Sequence, residues 1–65
     1  MFFFVEVSVW ERAPYGWQGV QVHVRAETAI ADARRLLDLY PSVRVRGVEG
    51  DLVWSHLQGK EIEYV

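Results

Sequence analysis

Two histidines, His23 and His56, are the side chains in this sequence best suited to serve as a general base or a metal ligand. A zinc site needs three or four ligands converging at about 2.0 to 2.2 Å. The chain has no cysteine and no short His-x-His or Glu-spaced cluster, so neither a metal nor a cofactor is expected. The same lack of cysteine removes a thiolate nucleophile and a disulfide framework. Ser8, Ser42 and Ser55 stand in no nucleophile-elbow context, and the single threonine, Thr28, reads as a helix cap. Glycines 16, 19, 47, 50 and 59 are scattered and form no phosphate-cradling loop. Glu61 and Glu63 share one strand face, but acid–base work needs a cleft that separates two carboxyl pKa values, and a terminal strand offers none. The expectation is a protein that is not an enzyme.

Basic and aromatic residues are mixed along the chain, and this raises a second chemistry. Arg44 and Arg46 project from one segment and Arg34 and Arg35 from another, so phosphate contacts beside an aromatic stacking platform can be drawn. Seven Lys or Arg against nine Asp or Glu give a net charge of −2, which lacks the broad positive field behind most nucleic-acid affinity. Single-stranded nucleic-acid binding through Arg44, Arg46, Arg34 and Arg35 is therefore kept as the alternative function.

These residues must be positioned by a small scaffold. At 65 residues the chain is one domain spanning residues 1–65, with too little interior for a large enclosed site. Residues 2–11 alternate, with Phe3, Val5, Val7 and Val9 on one face and Phe2, Phe4, Glu6, Ser8 and Trp10 on the other, which predicts a strand. Pro14 and Gly16 mark a loop, after which Val20, Val22, Val24 and Ala26 alternate with Gln21, His23, Arg25 and Glu27 in a second strand.

If both valine rows face one core, a plausible antiparallel register sets Val9 opposite Val20, Val7 opposite Val22 and Val5 opposite Val24. Glu6 then stands opposite His23, and Phe4 opposite Arg25. The first pair reads as a surface ion pair, or as a dyad for a small enzyme built between subunits. The second offers a cation–π contact.

Thr28 predicts a helix over 29–39, stopped by Pro41, with Ile30, Ala33, Leu37 and Tyr40 inward and charge pairs Asp32–Arg35 and Arg34–Asp38 outward. Val43 and Val45 alternate with Arg44 and Arg46 in a third strand. Residues 52–57 read either as a strand or as a short helical turn capped by Asp51, with the strand favoured. Residues 60–65 read as an edge strand whose Lys60, Glu61 and Glu63 discourage edge-to-edge pairing.

The expected class is a small α+β two-layer sandwich: an N-terminal hairpin, one helix, then two or three strands in one sheet (ββαββ or ββαβββ). A hairpin MFFFVEVSVW…GVQVHVRA followed by a helix and returning strands resembles the order of elements in the ubiquitin-like β-grasp family. The resemblance covers element order and no specific motif. The chain ends in Glu63-Tyr64-Val65 rather than a di-glycine, so conjugation and sulfur carriage are not implied.

With the helix on the valine side, nothing obvious covers Phe2, Phe4 and Trp10, and Tyr15 and Trp17 in the loop add to them. Such a set exceeds an ordinary exposed patch and has the composition of interface hot spots. A fold-back in which Trp10 and Trp17 make a small second core is the other reading. The expected function is a protein–protein interaction module of adaptor or inhibitor type, or a homo-oligomer subunit. Phe2, Phe4, Trp10, Tyr15, Trp17 and Arg25 would bind another protein or a second copy. The apolar start is broken by Glu6 and lacks a basic leader, so no signal peptide or membrane span is expected, and a cysteine-free chain suits the cytoplasm.

Overall fold

A computed structural model describes residues 1–8, 16–57 and 59–64. The elements are β1 (Phe3–Ser8), β2 (Trp17–His23), α1 (Ala26–Leu36), β3 (Val43–Gly47), β4 (Leu52–Leu57) and β5 (Lys60–Glu63). They form one five-stranded sheet in the order β2-β1-β3-β4-β5, every neighbouring pair antiparallel, with α1 on one face. The α+β class thus stands, as ββαβββ. Its sheet is a hairpin joined through the helix to a three-strand meander, and a ubiquitin-like topology does not follow from it. Residues 52–57 are a strand and residues 60–63 an edge strand.

The core is a row of paired β-branched residues. Val5 faces Val45 and Val7 faces Val43 across β1 and β3, and Val45 faces Trp54 across β3 and β4. These five side chains and Ala29 and Ala33 of α1 are fully buried, with Phe3, Ile30, Leu36, Leu37, Tyr40 and Val53 packed around them. The small alanines let the helix lie close to the valine row. At the β3–β4 turn Gly50 adopts φ 87°, a left-handed conformation that favours glycine, and its N–H donates to the Gly47 carbonyl at 3.0 Å.

The hairpin register departs from expectation. Val5 lies opposite Gln21, Val7 opposite Gln18, Phe4 opposite Val22 and Glu6 opposite Gly19, with a bulge between Val5 and Glu6 that leaves Val20 as the extra residue of β2. The expected pairs Val5–Val24, Val7–Val22, Glu6–His23 and Phe4–Arg25 are therefore absent, while Val9 lies outside the described residues. The valines of β1 are already matched by those of β3, so β2 is free to turn its polar residues inward. His23, opposite Phe3, reaches the helix instead of Glu6.

The helix begins three residues before the expected start. Thr28 does not cap it; its hydroxyl donates to the Arg25 carbonyl at 3.0 Å, and Arg25, extended at φ −127° and ψ 141°, is the N-cap with no side-chain hydrogen bond. Glu27 in the first turn and Arg34 and Arg35 in the last suit the helix dipole. Arg25→Asp should supply the missing cap and raise stability by about 1 kcal/mol, read as a higher urea midpoint. An unchanged or lower midpoint would contradict this placement of the cap.

Candidate functional site

Because odd-numbered residues of β1 face α1, its even-numbered residues point to the opposite face of the sheet, where Glu6 and Ser8 are buried and Phe4 is half-buried. Two distinct sets of side chains stand there.

The first is a charged cluster centred on Glu6. In the register of β1 and β3, Glu6 stands beside Arg44, and Phe4 beside Arg46. The Nε groups of Arg44 and Arg46 both donate to Glu6 Oε1, at 2.6 and 2.8 Å, and Arg46 Nη2 donates to Oε2 at 2.7 Å. The Glu6 side chain is only 12% exposed. Burial by itself pushes its carboxyl up, but the hydrogen bonds from Arg46 and Arg44, together with their charges, hold it below its usual value. The Arg44 guanidinium also lies 4.2 Å from the Trp17 ring centroid, a cation–π stack, and the Trp17 Nε1 is buried without an acceptor among the described residues.

The second set is apolar and occupies one corner of the same face. Phe4 pairs with Val22. Both ladders end at Phe3, opposite His23 and Gly47, and Phe2, Val24 and Val48 are the residues that follow their ends. Phe2 is 51% exposed, Val22 52%, Val24 67% and Val48 56%. Met1 is exposed as well, and with Val48 it lines a shallow depression that Phe3, Glu49 and Asp51 share.

The helix side holds a third arrangement. His23 Nε2 and Asp32 Oδ2 are 3.0 Å apart, and Arg35 donates to Asp32 Oδ1 at 2.9 Å. They line an open depression of about 360 Å³ with Gln21, Thr28 and Ala31. Asp32 fixes the imidazole and ties β2 to α1. Thr28, the one hydroxyl lining this depression among the described residues, donates to a backbone carbonyl. His56 packs near Trp54, ring centroids 6.3 Å apart, far along the sheet from β2. Among the described residues no group of three or more His, Cys, Asp or Glu side chains could hold a metal ion.

Most of the sequence-predicted residues lie among those described. Phe4 shares the face opposite α1 with Trp17, which stacks on Arg44, and Phe2 precedes β1, exposed. Arg25 is at the start of α1 and not across from Phe4. Trp10 and Tyr15, and with Trp10 the proposed second core, lie outside the described residues. All four arginines of the nucleic-acid alternative are matched to carboxylates: Arg44 and Arg46 to Glu6, Arg35 to Asp32, and Arg34 to Glu61 at 3.0 Å. The Arg34 hydrogen bond holds the Glu61 carboxyl below its usual value.

Sequence reasoning missed Val22, Val24 and Val48 as surface residues and Asp32 as the partner of His23. The Asp32–Arg35 spacing was visible in the helix, but its reach to β2 is tertiary.

The chain matches no family model, no curated protein and no solved structure. Its surfaces alone carry the functional reading. Among the described residues no helix is long and apolar enough to cross a membrane.

Proposed function

We propose that this protein is a small, non-catalytic interaction module of the cytoplasm that binds a protein surface through the apolar residues exposed at the β2 end of its sheet. The observation that carries this reading is the exposure of Phe2, Val22, Val24 and Val48, with the half-buried Phe4 opposite Val22, beside a cluster in which Arg44 and Arg46 share the single carboxylate of Glu6. Apolar side chains held on a rigid sheet cost little entropy to bury and serve as anchors. The adjacent Glu6, Arg44 and Arg46 form a fixed polar rim.

Nucleic-acid binding is not favoured, since each of its four guanidinium groups is engaged with a carboxylate and the chain is net negative. Catalysis is not favoured either: the His23–Asp32 pair lines an open depression and ties β2 to α1.

The test compares the proteins crosslinked to the wild-type chain in cells with those crosslinked to Val24→Lys, a variant whose circular dichroism should be unchanged. Loss of specific partners from the variant is the expected result, and identical partner sets would contradict the proposal.

A further inference from the structure

We infer that the partner offers an extended segment to the β2 end of the sheet, added as a strand along the outer edge of β2, with side chains that alternate between apolar and acidic. This deepens the reading of the β2 end as a binding surface and rests on it.

The backbone sets the kind of occupant. β2 stands at one end of the sheet, and among the described residues it is paired on one side only, by β1. An edge strand presents a row of N–H and C=O groups, and the occupant that satisfies such a row is another extended backbone.

The two edges of the sheet differ. Gln18 through Val22 are five consecutive exposed residues, and Trp17–His23 contains no Lys, Arg, Asp, Glu or Pro. At the other edge β5 carries Lys60, Glu61 and Glu63 in four residues. Charges and prolines protect an edge from pairing, so β2 is the open one. Its one irregularity, the extra residue Val20, leaves Gln21–His23 regular, paired with Val5, Phe4 and Phe3.

Side chains set the pattern. Gln21 and His23 lie on the α1 side, opposite Val5 and Phe3, and Val22 lies on the other side, opposite Phe4. On the α1 side, the depression of about 360 Å³ between β2 and α1 borders this stretch. Within it the Asp32 side chain is 16% exposed and held by His23 and Arg35, whereas the Arg35 side chain is 81% exposed. The charge offered to a ligand there is the guanidinium. On the other side Val22 is 52% exposed. Successive side chains of an added strand point alternately to these two sides, so one row brings a carboxylate to Arg35 and the other lies against Val22.

Selection from a displayed library of random peptides of about twelve residues tests this, followed by titration of the best synthetic peptide into the protein. Selected peptides should alternate apolar and acidic residues, and β2 amides should exchange more slowly in the complex. N-methylation of one alternate set of peptide nitrogens should weaken binding about tenfold, and of the other set should not. Val22→Lys and Arg35→Glu, both exposed positions whose circular dichroism should be unchanged, should each weaken it by at least about threefold. Binding that survives N-methylation of either set, or that survives Arg35→Glu, overturns the inference.

The two levels separate. A peptide indifferent to N-methylation but lost in Val24→Lys refutes strand addition and leaves the apolar binding surface standing. A peptide that neither Val22→Lys nor Val24→Lys weakens refutes both. If no peptide is selected, strand addition is overturned, and the crosslinked partners of Val24→Lys decide the binding surface separately.

Discussion

Trp54→Ala should cost about 4 kcal/mol, a large share of the stability expected of a chain of this length. Trp54 is the largest fully buried side chain, paired with Val45 on one flank and Glu63 on the other. The Arg34 guanidinium lies 6.0 Å from its ring centroid and hydrogen-bonds Glu61, closing the helix side of β4 and β5. Truncation removes the transfer free energy of the indole and leaves a cavity that valines and alanines cannot fill, a loss of about 3 to 5 kcal/mol. At roughly 0.05 to 0.15 kcal/mol per residue, a chain of this length has total stability of the same size. Urea unfolding followed by far-ultraviolet circular dichroism would measure it. A loss below about 1 kcal/mol would mean that this side chain is not at the centre of the core.

The second large effect belongs to Glu6. Replacing it by alanine leaves two partly buried guanidinium groups facing one another without a counter-charge, and the expected loss is about 2 to 3 kcal/mol. Its pH dependence has a definite sign. The folded carboxyl titrates below its ordinary value of 4.5, so the stabilisation is fully present above that pH and is lost as pH falls through the folded value. Glu61 has the same sign through Arg34, but both of these groups are solvent-exposed and screened. Glu6→Gln should therefore be less stable than the wild type at pH 7 and lose less stability on acidification. Parallel stability curves from pH 7 to about pH 3 would contradict the charged cluster.

Much of the scaffold was legible in the sequence because its signals were local. The alternation of residues 2–8, the Val-Arg-Val-Arg run from residue 43 and the charged final strand each specify one element and its faces. The hairpin register was not local. Val20, Val22 and Val24 alternate with polar residues as cleanly as a core-facing row does, and period-two patterning cannot say which side is inside. That choice was made by β3, whose Val43 and Val45 pair with Val7 and Val5 and so complete the core without β2.

The same long-range pairing explains what was found at the site and what was missed. Phe2 and Phe4 were assigned to the face opposite α1 because it follows from parity along residues 2–8. The alternation of Arg44 and Arg46 in the sequence allows phosphate contacts as an alternative, and the register of β1 and β3 turns both onto Glu6. The helix start was displaced because Thr28 resembles a cap, whereas the chain turns helical directly after the extended Arg25.

The outward placement of the β2 valines underlies both the binding face and its proposed partner, and one measurement addresses it most directly. Urea unfolding of Val22→Lys at low micromolar concentration, where association is negligible, should reproduce the wild-type midpoint to within about 0.5 kcal/mol, as expected for an exposed position. A loss of more than about 2 kcal/mol would place Val22 in the core and contradict the register on which the binding face depends.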